Sequence, residues 1–335
     1  MFTKIYERIV NYIKNESKFI IFLAIILFVG IFRLPYNIYS GGGIIDIKDR
    51  LTIDGEYKEE GSFNMAYVRS LRATIPVYLL SYIFNWERDS IENVKIDEND
   101  NPADIWKREK VYLDEANNNA IISAYTLAGE SIKIEKELLQ VLYIDKDSQT
   151  SLEIGDTIKA INGNDINSFD DMKKIMSTFS VGDKIAVKYF RNNEEKDGYI
   201  IVREMDGEKK AGIYLVKMYE YDVKRKINLD FSSKEGGPSG GLMLALAIYN
   251  RLVPEDLTKG RKIVGTGTID KDGKVGAIGG VKYKIMGANS GKADIFFVPK
   301  ENYEEAIEFK KEKGYDLNIV KVDTLSDAIE YLRRN

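Results

Sequence analysis

The 335-residue chain contains no cysteine, no histidine and only 6 prolines. Without cysteine there is no disulfide framework, no thiol nucleophile and no Cys-ligated metal. Without histidine, Ser-His-Asp hydrolases, HExxH metalloproteases and every imidazole-based acid/base mechanism are excluded. Proton transfer here must use Lys, Asp, Glu, Tyr or water. A dominant charge is also lacking: 49 Lys+Arg against 53 Asp+Glu leave a net charge of -4, which gives no basis for a nucleic-acid partner. No G-x-x-x-x-G-K-[ST] sequence occurs, which excludes a Walker-type phosphate loop. No residue pattern calls for a metal or another cofactor, and none is expected. What is present is a hydrophobic fraction of 44%, which suits a folded chain of roughly two to three domains at this length.

Residues 19–32, FIIFLAIILFVGIF, carry no charge. As a helix they span about 21 Å, short of a ~30 Å hydrocarbon core. Extension to residue 39 completes a crossing, with Arg33 snorkelling to the interface beside Tyr36 and Tyr39. The pattern predicts a transmembrane anchor over 19–39, a cytoplasmic tail over 1–18 and the bulk of the chain outside. No small-x-small cleavage site follows the apolar run, which argues against a removed signal peptide. Gly41-Gly42-Gly43 reads as a flexible joint. Residues 44–75 read as a hairpin around DGEYKEEG, and residues 76–92 and 104–129 as helices, the second closed by Gly129. The region 44–130 is expected to pack with a domain further along the chain.

Short strands with turn signals follow, and among them stands LEIGDTIKAINGNDI, residues 152–166. Gly155-Asp156 makes a turn, residues 157–161 alternate as a strand, and Asn162-Gly163 is a strong hairpin signal. SFDDMKKIMSTF then predicts a helix capped by Ser168. The positions Leu152, Gly155, Asp156, Ile158, Ile161, Asn162 and Gly163 resemble the internal signature L-x-x-G-D-x-I-x-x-I-N-G of the PDZ family. The resemblance implies a small β-barrel-like domain with helices over 131–205, which binds an extended peptide by strand addition. It also implies that the peptide lies along residues 137–144, at Leu139, Gln140, Val141 and Leu142, although the glycines usual in that loop are absent.

Residues 236–241 read GGPSGG and are followed at once by an apolar helix, LMLALAIYNRL. A serine between glycines at a helix N-terminus sits among free backbone N–H groups, which suit an oxyanion. By itself such a loop is more often a phosphate cradle or a tight turn. A second stretch, residues 264–302, reads strand, turn at Asp272-Gly273, strand, Gly279-Gly280, helix and apolar strand. Two lysines lie on its helix. Lys282 shares a face with Ile285, Met286 and Asn289, and Lys284 with Gly287 and Ala288. On this spacing Lys282 occupies the apolar face, where desolvation lowers an amine's pKa and yields the one base a histidine-free chain can offer a serine. Lys284 is expected to turn away.

GPSGGLM, TGTI, GAIGGVK and VPKEN together resemble the proteolytic domain of the Lon family of Ser-Lys peptidases over roughly residues 211–335, which implies such a domain over 206–335. The resemblance implies Ser239 as nucleophile and Lys282 as base, with Thr266 beside them and Gly237, Pro238 and Gly240 in the supporting loop. Gly236 departs from the acidic residue common in Lon two positions before the proline. Ser232 and Ser233 read as polar strand-end residues, and Lys300 as an exposed one.

The order of segments resembles the membrane-anchored PDZ-Lon serine peptidases of Gram-positive bacteria. That implies an α+β chain: transmembrane helix, PDZ domain and Lon-type proteolytic domain. It implies an extracytoplasmic, ATP-independent endopeptidase, with peptide or protein substrates presented by the PDZ domain. The expected partners are therefore substrate and membrane, and not nucleic acid. Lon-type domains often form rings, so a homo-oligomer is compatible with the resemblance. A catalytically silent PDZ scaffold at the membrane surface is the alternative reading.

Overall fold

The computed structural model describes residues 5–6, 15–96, 100–205, 207–232 and 234–335. Lys4, Arg8 and Lys14 of the expected tail, and Ser233, lie outside the described residues. The chain begins with α1 (Ser17–Ile31), β1 (Arg33–Asp46), β2 (Ser62–Thr74), α2 (Ile75–Ile83), β3 (Glu87–Ser90) and α3 (Pro102–Ala128). Next come β4 (Ile132–Ile144), β5 (Gln149–Thr150), β6 (Thr157–Ile161), α4 (Phe169–Ser177), β7 (Lys184–Arg191), β8 (Glu194–Ile201) and β9 (Ile213–Val223). The last stretch holds α5 (Gly241–Leu252), β10 (Lys262–Gly265), β11 (Thr268–Ile269), β12 (Val275–Gly276), α6 (Val281–Ser290) and β13 (Ile295–Pro299). It closes with α7 (Tyr303–Lys313), β14 (Ile319–Val322) and α8 (Leu325–Arg334). Helices and sheets are thus mixed, as an α+β chain requires. Two compact units result: Met1–Ser40 with Val68–Lys95, and Gly41–Tyr67 with Ile96–Asn335.

In the first unit, α1 is apolar on every side from Phe19 onward and has no buried residue. The helix ends when Phe32 N–H closes on the Phe28 carbonyl at 2.7 Å. Pro35 then biases Leu34 toward extended backbone, and β1 begins. The expected anchor over 19–39 therefore does not form as one helix: α1 has 15 residues, about 22 Å of rise. Among the described residues no helix is long and apolar enough to cross a membrane. The helix expected over 76–92 is also shorter. It stops at Ile83 ahead of Asn85, whose φ is +51°, and the chain returns as β3 to pair Tyr36–Tyr39 of β1 with Glu87–Ser90.

In the second unit, β14, β13, β10 and β2 run as a parallel sheet. All twelve residues of α5 are buried against it and against α3, the polar Asn250 and Arg251 at its end through hydrogen bonds with Leu257 N–H and Glu59. The stretch expected to be a flexible joint is instead part of strand β1. A Cβ on Gly42 would lie 2.0 Å from the Tyr67 carbonyl oxygen, so glycine is there for close backbone approach. Gly287 of α6 is pressed as tightly on Gly43, its Cβ position 2.8 Å from the Gly43 carbonyl oxygen. This contact sets how deeply α6 sits.

A second sheet has the strand order β9-β4-β6-β7-β8-β5. Several expectations from residues 152–177 appear here. Asn162 and Gly163 have φ of +49° and +79°, and the Ser168 hydroxyl accepts from Asp171 N–H as helix cap. Asp156 is buried and held by Arg191 through bonds of 2.8 and 2.7 Å.

Candidate active site

The loop that carries Ser239 is fixed from helix α3. Gly237 N–H donates to the Glu109 carbonyl at 2.9 Å, and Lys110 Nζ donates to the Ser232 and Glu235 carbonyls. Glu235 pairs with Arg50 at 2.7 Å and accepts from Ser232 N–H. Gly236 carries no side chain for a local reason: its Cβ would meet Glu109 Cβ at 3.0 Å and Trp106 at 3.4 Å. The start of α3 is itself anchored by Arg108, whose guanidinium forms a buried two-pronged pair with Asp100.

Ser239 sits half-buried in the turn before α5. Its carbonyl accepts from Gly267 N–H at 2.8 Å and from the Thr266 hydroxyl at 3.0 Å. Leu242 N–H returns to the Gly267 carbonyl at 3.1 Å, so loop and strand are laced in both directions. Because Gly237 N–H is already used and Pro238 has none, the loop donors open to an oxyanion are the N–H groups of Ser239 and Gly240. Neither makes a hydrogen bond among the described residues. Thr266, expected beside the dyad, is fully buried at that place.

The lysine expectation is reversed. Lys282 is exposed, whereas Lys284 is only 3% exposed and donates from Nζ to Thr266 Oγ1 at 3.0 Å. Burial pushes the Lys284 pKa down to about 7. The buried face of α6 is Val281, Lys284, Ile285, Gly287 and Ala288, so the helix points Lys284 inward. Val281, three residues before Lys284, lies on the same buried face, and Gly287 and Ala288 are the small residues of the side pressed on a neighbouring backbone.

The second sheet brings its own correction. Leu139 and Val141, expected to line a peptide groove with Gln140 and Leu142, are fully buried. Both edges of that strand are taken: Leu139 and Gln140 face Ile158 and Thr157 on β6, and the same stretch pairs with β9 on the other side. Strand β9 is the edge of the sheet among the described residues. Asn118 of α3 covers that edge at Tyr219 through both of its amide atoms, at 2.9 Å each.

Residues 219–334 match the Lon protease (S16) C-terminal proteolytic domain. The C-terminal segment is Lon-like. That match carries the class of the domain, a serine peptidase. Among curated relatives, the Lon protease of Aster yellows witches'-broom phytoplasma (strain AYWB) is 34% identical over 92 residues, 28% of this chain and 11% of that protein. The Lon protease of Campylobacter concisus (strain 13826) is 32% identical over 120 residues, 34% of this chain and 15% of that protein. This chain thus spans about an eighth of the length of these relatives. A PDZ domain of the SdrC-like protein from Listeria monocytogenes is similar over 25% of this chain and 93% of its own, at 24% identity and a TM-score of 0.23.

The Lon-like site also yields a test of Thr266, whose hydroxyl links the lysine helix to the nucleophile loop. Thr266→Val keeps the shape but leaves Lys284 Nζ and the Ser239 carbonyl each without that partner. A loss of about 1–3 kcal/mol is expected, roughly 10–100-fold in kcat, with KM little changed. Steady-state kinetics on a short peptide checks it. An unchanged kcat would show that the hydroxyl has no part in holding the site.

Proposed function

We propose that the chain is a membrane-attached, ATP-independent serine endopeptidase in which Ser239 is the nucleophile and Lys284 the base. The observation that carries this reading is the buried amine of Lys284, its pKa near neutrality, bonded to the threonine that holds the Ser239 carbonyl. In the reaction, Ser239 Oγ attacks the peptide carbonyl carbon and its proton passes to the neutral Lys284 Nζ. The oxyanion draws on Ser239 and Gly240 N–H. Collapse breaks the C–N bond, and Lys284 returns the proton to the leaving amine. Water then attacks the acyl-enzyme with the same amine as base, releasing the acid and restoring the serine hydroxyl.

ATP independence rests on the absence of a Walker sequence in these 335 residues, and it implies substrates that are short or already extended. Membrane attachment rests on α1, whose apolar side chains, Phe28 at 59% and Ile31 at 64% among them, are exposed. An extracytoplasmic site is part of the same reading, consistent with a chain that has no cysteine. The PDZ-like sheet is assigned a peptide-holding role at residues 213–217 of β9, between Gly212 and the α4 side chain Phe169.

The test uses the full chain in detergent, an unstructured reporter peptide and a folded protein, with and without ATP. Turnover of the peptide alone, indifferent to ATP and absent in Ser239→Ala, is the expected result. Peptide cleavage that survives Ser239→Ala, or that needs ATP, would sink the reading.

A further inference from the structure

A cleft of about 490 Å³ opens beside the nucleophile loop, between α3 and the β11–β12 hairpin. Pro238, the residue before Ser239, forms part of its wall, so a side chain next to a scissile bond at Ser239 would enter it. Tyr112, Ala116, Ile269 and Val275 supply apolar walls. Glu115 stands among them half-buried, and among the described residues it makes no hydrogen bond or ion pair. Asp270, Glu301 and Lys274 sit exposed at the mouth and leave it net acidic.

A cleft with apolar walls, polar Asn119 and Thr268 beside them and an unpaired carboxylate in its lining fits a side chain with an aliphatic stem and a cationic head. We propose that this cleft is a specificity pocket for a lysine or arginine of the substrate, with Glu115 as the residue that selects it. The proposal rests on the peptidase reading above. Burial raises the Glu115 pKa, with no cation nearby to lower it again, as expected for a carboxylate whose counter-ion arrives with the substrate.

The experiment uses the full chain in detergent and peptides that differ only by Lys, norleucine or Glu at each position within three residues of the cleaved bond. At one position kcat/KM is expected to favour Lys over norleucine at least about 10-fold, with Glu disfavoured further. Glu115→Gln brings that Lys-to-norleucine ratio close to one. A wild-type ratio near one at every position, or a preference that persists in Glu115→Gln, overturns the pocket. A separate arm with Ser239→Ala distinguishes the other failure, since cleavage that survives there overturns the peptidase reading and not the charge preference alone.

Discussion

Lys284→Ala is expected to lower kcat by about 10³-fold or more, whereas Lys282→Ala leaves it within about twofold. The reason is one of placement. Lys284 is buried and bonded to Thr266 Oγ1 at 3.0 Å, while Lys282 extends into solvent from the opposite side of α6. Only an amine that loses its proton near neutrality serves as base, and desolvation brings Lys284 to about 7. Activity should therefore rise with pH through about 7 and level off above it, because the working form is the unprotonated one. Lys284→Arg is expected to fail as well, since a guanidinium holds its proton at every usable pH. Combining Ser239→Ala with Lys284→Ala should do little more harm than either change alone, because groups acting as one unit are non-additive. Steady-state kinetics of the single and double variants on one short peptide decides the matter. Full activity in Lys284→Ala with loss in Lys282→Ala would return the role to the exposed lysine.

The same buried amine predicts a stability effect. Native Lys284 titrates at about 7, against an ordinary value of 10.5. Between those values the unfolded chain binds a proton that the native chain does not, so stability rises as pH is raised from about 7 toward 10.5. Below pH 7 both states are protonated and the native state carries the full penalty, on the order of 5 kcal/mol. Lys284→Met, which fills the site with an uncharged chain of similar length, is expected to be more stable than the wild type at pH 6–7 by a few kcal/mol. Its advantage should shrink toward pH 10. Urea unfolding of both proteins across that range measures it, and a constant difference at all pH values would contradict the burial argument. The enzyme would thus keep at its centre a residue that weakens its own fold.

Much of this arrangement was legible in the residues themselves. Zero histidine and zero cysteine reduced the available bases to a short set, and the apolar run after GGPSGG marked the buried helix α5. Asn162-Gly163, Ser168 and Gly129 marked a turn, a cap and a helix end because their chemistry is local: a positive φ or a side-chain acceptor at a known offset. What failed depended on neighbours distant in sequence. Three glycines in a row read as a joint until Tyr67 closed on Gly42 and Gly287 on Gly43. Leu139 and Val141 looked like a groove until β9, some 75 residues further on, took that edge of the strand. Helical spacing could say that Lys282 and Lys284 face opposite ways, but not which of those ways is inward. That was decided by the close approach of α6 to β1, which buries Lys284 against Thr266 and leaves Lys282 in water. Periodicity fixes the angle between two side chains, and only packing against another element gives that angle a direction.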